Sequence, residues 1–237
     1  MPDPPSAGGG YLELIAPYDA SLPGGLRIAE YLKQGEGARG GGLEITSAEQ
    51  AAHDLSAVGL KVNGPNPGTI VMPGEGQPPP PRWWSVGFAD RVASRPFSLF
   101  QYVPDPTRPP IRKPIQPNST TYLAAILVAV NDPEKAAAGY GNIGKLSPTE
   151  IKLPEFGAIA KEIVLARGSI FLLRPTDPTG PTAQHLKTRG EGILGVRLSV
   201  KDLDETRKVI GGKDISKDSG SVLVAPANAA GAWLQFR

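Results

Sequence analysis

Apolar and polar positions repeat with two different periods along the chain, and each change of period marks an element. Residues 123–130 are apolar on both faces and predict a buried strand. Asn131-Asp132-Pro133 follows, with an acid placed to cap a helix and a proline at its first turn, so a helix is expected over 134–143. Two β-branched runs, 159–166 and 169–174, flank Arg167-Gly168 and read as a hairpin. A strand over 193–200, a helix over 202–210 stopped by Gly211-Gly212, and strands over 221–225 and 232–236 complete this half. The first half reads as a strand over 11–15, a helix near 28–33, a strand over 43–46 and a helix over 48–58. Strands near Leu60, at 83–89 and at 96–102 follow.

The two halves repeat one another. Ala29-Glu30-Tyr31-Leu32-Lys33-Gln34-Gly35-Glu36-Gly37 recurs, with one insertion, as Ala183-Gln184-His185-Leu186-Lys187-Thr188-Arg189-Gly190-Glu191-Gly192, and each copy follows a short apolar run, 11–15 or 170–173. Nothing ahead of Tyr11 corresponds to 122–169. The first unit is therefore expected to lack its front module. Prolines punctuate the rest: Pro78 to Pro81 lie in a Gly/Pro stretch from Gly64 that reads as an exposed loop. A second cluster, Pro104, Pro106, Pro109, Pro110, Pro114 and Pro117, reads as the linker between units.

Strand, capped helix and three strands, repeated in pairs, resembles the vicinal oxygen chelate superfamily, whose domains pair two βαβββ modules around a cup. The segments from Ile126 to Ala137 and from Val196 to Glu205 look like its module openings. Tyr11-Leu12-Glu13-Leu14-Ile15-Ala16-Pro17, Asp90-Arg91 and Pro96-Phe97 look like its two-domain glyoxalase-like members. The resemblance implies an α+β fold of paired βαβββ modules: an incomplete glyoxalase-like domain over 1–103, a proline-rich linker over 104–121 and a complete domain over 122–237. It also implies a small-molecule binding protein, metal-independent and without established catalysis. The alternative is a lyase, isomerase or oxygenase whose site is completed by another chain or by upstream sequence.

Enzymes of this superfamily hold a divalent metal through side chains on the first and last strand of each module. Counted back from the capping acids Asp132 and Asp202, the resemblance places the first-strand positions at Ala125 and Gly195, and the last-strand positions at Leu172 and Gln235. Three of these carry no donor atom, so no metal and no cofactor are expected. In the first unit the equivalent positions are Gly42 and Gln101, with Glu13 retained from the preceding module. Glu13 is a general-base candidate if it lines a cup and a rim glutamate otherwise. Trp84, Arg91 and Gln101 complete the candidate ligand-binding set with Glu13: aromatics wall a pocket, and arginine recognises a carboxylate. Trp83 and Trp84 point to opposite faces of one strand, so at most one of them enters a cup. The competing reading buries one tryptophan in the core and closes a turn with Asp90-Arg91.

Composition narrows the partners. Lys+Arg 25 against Asp+Glu 23 leaves +2, with no basic run to follow a nucleic-acid backbone. Cysteine is absent, which fits a reducing compartment, and no apolar stretch is long enough to span a membrane; a cytoplasmic protein is expected. Only two histidines exist: His53 is expected on the solvated side of its helix, and His185, aligned with Tyr31, reads as a position tolerant of any amphipathic ring. The open side of the half-domain is expected to be covered by a second copy, giving a homodimer.

Overall fold

The computed structural model describes residues 10–17, 19–69, 80–90, 92–104, 116–141, 143–216 and 220–237. After helix α1 (Pro23–Leu32) come β1 (Gly41–Glu44), α2 (Ala48–Ala57), β2 (Val62–Gly68), β3 (Trp83–Phe88) and β4 (Phe97–Tyr102). These strands form a four-stranded sheet in the order β1-β4-β3-β2, with β1 parallel to β4 and the remaining pairs antiparallel. That is one βαβββ module.

The second module repeats it: β5 (Thr120–Ala129), α3 (Pro133–Ala138), β6 (Lys145–Leu153), β7 (Ala158–Val164) and β8 (Ser169–Pro175), with β5 parallel to β8. Helix α4 (Pro181–Arg189) leads to β9 (Gly192–Val200), α5 (Leu203–Ile210), β10 (Val222–Val224) and β11 (Trp233–Phe236). This third module is shorter, and an isolated bridge from Asp214 to Val224 stands where a further strand would lie. The second and third modules join through antiparallel pairing of their first strands, β5 and β9, into one seven-stranded sheet of order β10-β11-β9-β5-β8-β7-β6. The fold is thus α+β and built from βαβββ modules.

The helix starts follow from their caps. Asp132 accepts from the amides of Glu134 and Lys135, Asp202 from those of Asp204 and Glu205, and Ser47 from that of Gln50, so each side chain satisfies donors that a first helical turn leaves free. Helix α3 is shorter than the 134–143 pattern suggests: it ends at Ala138, the Gly139 and Tyr140 amides bonding three residues back to Ala136 and Ala137, and Gly141 follows at φ +55.

Two sequence expectations fail here. Residues 64–68, read as the start of an exposed loop, form most of β2 and pair with β3. Residues 11–15 form no strand and lie in the open, with Leu14 88% and Ile15 56% exposed. Strand β6, where the sequence pattern predicts no element, is an edge strand that pairs with β7 across a register shift between Leu146 and Glu150. Most of the proline-rich linker, 105–115, and the prolines at 78 and 79 lie outside the described residues.

Each sheet has a helix face and an inner face. In the large sheet Val128, Val130, Ile163, Ile170 and Leu172 pack under α3, while Val196 and Leu198 pack with Leu203 and Ile210 of the α5 segment. The inner face carries Ala125, Leu127, Ala129, Phe171, Leu173 and Leu194, and Phe156 and Trp233 pack onto it. In the small sheet Val86 and Leu99 pack under Ala48 and Leu55 of α2.

The two sheets meet on their helix sides. Phe97 is buried among the residues under α3, with Leu43 packed against them. The Tyr140 hydroxyl donates to the Ser94 carbonyl at 2.7 Å, and Arg95 donates to the Gly139 carbonyl while lying over the Phe88 ring at 3.8 Å. A second tie lies elsewhere: Arg189 donates to the carbonyls of Glu36 and, at 3.0 Å, of Gly35.

Candidate functional site: a cleft at the mouth of a filled cup

Strand register decides which residues can line a cup. Ala125 stands opposite Ser169 and Arg197, Leu127 opposite Phe171 and Gly195, and Gln235 opposite Arg197, so these share the inner face of the large sheet. Leu172 stands opposite Val128 and packs under α3. It therefore cannot meet Ala125, and the last-strand position assigned to it belongs to a neighbour on the inner face, Phe171.

This cup is filled by its own side chains. Phe156, on the turn Pro154–Phe156, is fully buried and meets the Trp233 ring edge-on at 5.9 Å, and Leu186 of α4 packs against the same cluster. At one end the filling is polar. Arg197 Nε donates to Gln235 Oε1 at 2.7 Å, Gln235 Nε2 donates to Glu155 Oε1 at 2.6 Å, and the guanidinium lies 4.9 Å from the Phe171 ring centre. Burial pulls the Arg197 pKa down and Glu155 partly offsets it. Beside this chain Ser169 donates to Glu162 at 2.5 Å. Arg197 and Glu155 escaped the sequence reading; alternation along β9 from Gly195 was the signal that could have found the arginine.

At the other end a cleft of about 610 Å³ remains. Gln184, His185, Thr188 and Arg189 line it from α4, Leu194 and Trp233 from the sheet, and Glu36 and Gly231 from two loops. The loops touch: a Cβ built on Gly231, at φ +77, would lie 2.0 Å from the Glu36 carbonyl oxygen, so only glycine permits this approach. Arg189 holds the same loop through the Gly35 and Glu36 carbonyls and the Tyr31 hydroxyl at 3.3 Å. The His185 ring is half-buried, and burial, with the Arg189 charge second, pulls its pKa down to about 4. It is neutral at pH 7, offering one donor and one acceptor to the cleft.

The residues chosen from sequence do not come together. Trp84 and Gln101 are register partners on β3 and β4, but on the helix side: Trp84 packs against the cluster under α2, and Gln101 Oε1 accepts from the Ala48 amide at 2.8 Å, satisfying the start of that helix. The alignment of Gln101 with Gln235 is one residue out of step. Gly42 faces Ser98 as Gly195 faces Trp233, so Phe100 matches Gln235 and Glu44 matches Arg197. Glu13 lies on the other face, where with Tyr11 and Glu44 it surrounds Tyr102; burial first, then these neighbours, push the Tyr102 pKa up. Arg91 lies outside the described residues. His53 is exposed beside Asp54, the solvated position expected of it. His185, given no role from its sequence context, is the titratable ring at the cleft. Among the described residues no three His, Cys, Asp or Glu side chains cluster as metal ligands would, and no helix is long and apolar enough to cross a membrane.

No protein-family model matches the chain, and no curated protein sequence does. Among solved structures, a hypothetical protein from Bacillus halodurans is similar at 24% identity, TM-score 0.40, covering 48% of this chain and 91% of its own. A methylmalonyl-CoA epimerase from Mycobacterium tuberculosis is similar at 21% identity, TM-score 0.43, covering 50% of this chain and 87% of its own. A variant of the Streptomyces coelicolor methylmalonyl-CoA epimerase, in complex with 2-nitronate-propionyl-CoA, is similar at 17% identity, TM-score 0.42, covering 50% and 94%.

Proposed function

We propose that the chain is a glyoxalase-like, vicinal oxygen chelate type small-molecule binding protein that works without a metal, and that its ligand occupies the α4 cleft. The observation that carries this reading is the cleft itself: about 610 Å³ of space lined by an aromatic ring, Trp233, and a neutral imidazole, His185, among others. That volume lies within the range of small-ligand sites, and a largely apolar wall with a few convergent polar groups is how such sites select their occupants. The metal-free part rests on side-chain chemistry, since Ala125, Phe171 and Gly195 on the inner face have no atom that could ligate a divalent ion.

The lining indicates the ligand class. Trp233 and Leu194 suit a flat apolar body, while Gln184, Thr188 and His185 can each give or accept a hydrogen bond. Arg189 already spends its donors on the loop carbonyls, so it contributes positive field more than a free carboxylate clamp. A planar, neutral or weakly anionic compound with polar groups along one edge fits best. The test is a titration with small aromatic amides and acids, benzamide and benzoate among them, followed by tryptophan fluorescence and by calorimetry. Binding that loses its optical signal in Trp233→Phe and weakens about tenfold in His185→Ala, roughly one lost hydrogen bond, is the expected result. Binding indifferent to both substitutions would place the ligand elsewhere and refute the reading.

A further inference from the structure

We propose, resting on the cleft reading above, that the ligand is a planar heteroaromatic compound carrying a ring N–H beside an exocyclic amino group, the donor edge of a 2-amino-4-oxo ring, and that the Glu36 carboxylate receives that edge. The wall of the cleft is acceptor-rich. The Thr188 hydroxyl donates back to the Gln184 carbonyl at 2.8 Å, and the Thr179 hydroxyl donates to Asp177 Oδ1 at 2.7 Å, so both protons are spent and each oxygen can only accept. Arg189 spends its terminal N–H groups on the carbonyls of Gly35 and Glu36 and on the Tyr31 hydroxyl. Glu36 adds a carboxylate that has no hydrogen-bond or ion-pair partner among the described residues. An occupant bringing only acceptors would leave these groups unmatched.

The duplication shows what a carboxylate at this place in the chain holds. Glu36 is the repeat counterpart of Glu191. Glu191 Oε1 accepts from the Asn131 backbone amide at 2.9 Å and from the Asn131 side-chain amide at 3.2 Å, so one partner supplies both an N–H and an NH₂ group. Among the described residues Glu36 has no such partner, and it lines a cleft instead. Its backbone is nevertheless fixed. Arg189 holds the Gly35 and Glu36 carbonyls, and Gly231 packs against the Glu36 carbonyl from the other side. A carboxylate on a held loop, still unpaired, is matched by a ligand edge that repeats the N–H and NH₂ pair of Asn131.

The rest of the lining suits the rest of such a ring. Trp233 and Leu194 offer apolar surface to its plane, while the Gln184 amide and the single N–H of the neutral His185 ring can donate to its carbonyl. The cleft, at about 610 Å³, has room for a two-ring heterocycle and a small substituent. An anionic acid would instead set its own carboxylate in the same cleft as Glu36, like charge beside like.

Guanosine and inosine are the probes, since both are uncharged at neutral pH and they differ only in the exocyclic amino group. Titration calorimetry on the full chain should give guanosine a dissociation constant roughly tenfold below that of inosine, the effect of one charge-assisted hydrogen bond. Glu36→Ala removes an exposed, unpartnered carboxylate and keeps the carbonyl that Arg189 holds, so the fold is retained. In this variant guanosine should weaken by about tenfold or more, and the two nucleosides should bind within about twofold of each other. Equal binding of the two by the native chain would overturn the inference, as would a guanosine preference that survives Glu36→Ala. If benzamide then still binds in a manner that depends on Trp233 and His185, the cleft reading stands without the donor-edge ligand; if none of the three compounds binds, both fall together.

Discussion

His185→Gln isolates the one histidine at the cleft and should flatten the acid limb of the stability curve. In the folded chain burial and the nearby Arg189 charge hold the imidazole at about 4, below the ordinary 6.5. Because the folded pKa is depressed, the unfolded chain binds a proton first as pH falls. The His185 contribution is therefore intact above pH 6.5, is lost progressively as pH falls from about 6.5 to about 4, and does not change further below that. The full gap would correspond to roughly 3 kcal/mol as an upper bound. The ring is only half-buried, so solvent screening reduces the expected loss to on the order of 1–2 kcal/mol. Urea unfolding of the native chain and of His185→Gln at pH 7 and at pH 4.5 measures it. Carboxylates titrate in both proteins and cancel in the difference. The variant should lose less stability than the native chain by that margin; equal losses would mean that the ring is solvated and that the cleft is not the half-dry environment described above.

Tyr140→Phe deletes the buried bond to the Ser94 carbonyl that ties the first sheet to α3, and should cost about 1–2 kcal/mol in denaturant unfolding. Gly231→Ala forces a side chain onto the Glu36 carbonyl at positive φ; a loss of roughly 2 kcal/mol or more is expected, with weaker ligand binding because that loop walls the cleft. Gln101→Ala removes the acceptor for the Ala48 amide and should cost about 1 kcal/mol in stability while leaving ligand affinity unchanged, measured by calorimetry. Elemental analysis of protein purified without chelator should find no stoichiometric divalent metal, and near-stoichiometric zinc, iron or manganese would contradict the metal-free reading.

Local signals carried much of the fold. Asp132 and Asp202 announce helices because a capping carboxylate and the turn it closes are adjacent in sequence, and the strands around them are marked by their apolar runs. The edge strand β6 carries no signal, and segment 11–15 reads as a strand it does not form, for the complementary reason. Whether a short run pairs depends on a neighbour distant in sequence, and Pro148 or a run of apolar residues says nothing about that neighbour. Site residues suffered most. A cup face in a strand has period two, so an error of one position exchanges the inner face for the helix face. Gln101 and Leu172 were lost this way.

Correcting that single step changes how the inner faces of the two modules compare. With Gly42 matched to Gly195, the inner-face positions of the two modules compare as Glu44 with Arg197, Ser98 with Trp233, and Phe100 with Gln235. Charge is inverted at one position, and small and large side chains are exchanged at another. In the third module Arg197 and Gln235 form a bonded chain to Glu155, and Trp233 closes against Phe156, so that cup can spare space only at its mouth, beside His185. The first module has serine in place of that tryptophan, and on the same face Tyr11 and Glu13 of the segment before α1 lie beside Tyr102. The two modules thus differ at a few inner-face positions, while the helix faces stay alike: Leu43 and Ile45 pack under α2 as Val196 and Leu198 pack beside α5. Packing against a helix demands the same apolar shape in every copy, and an inner face is free to change with whatever must fill it.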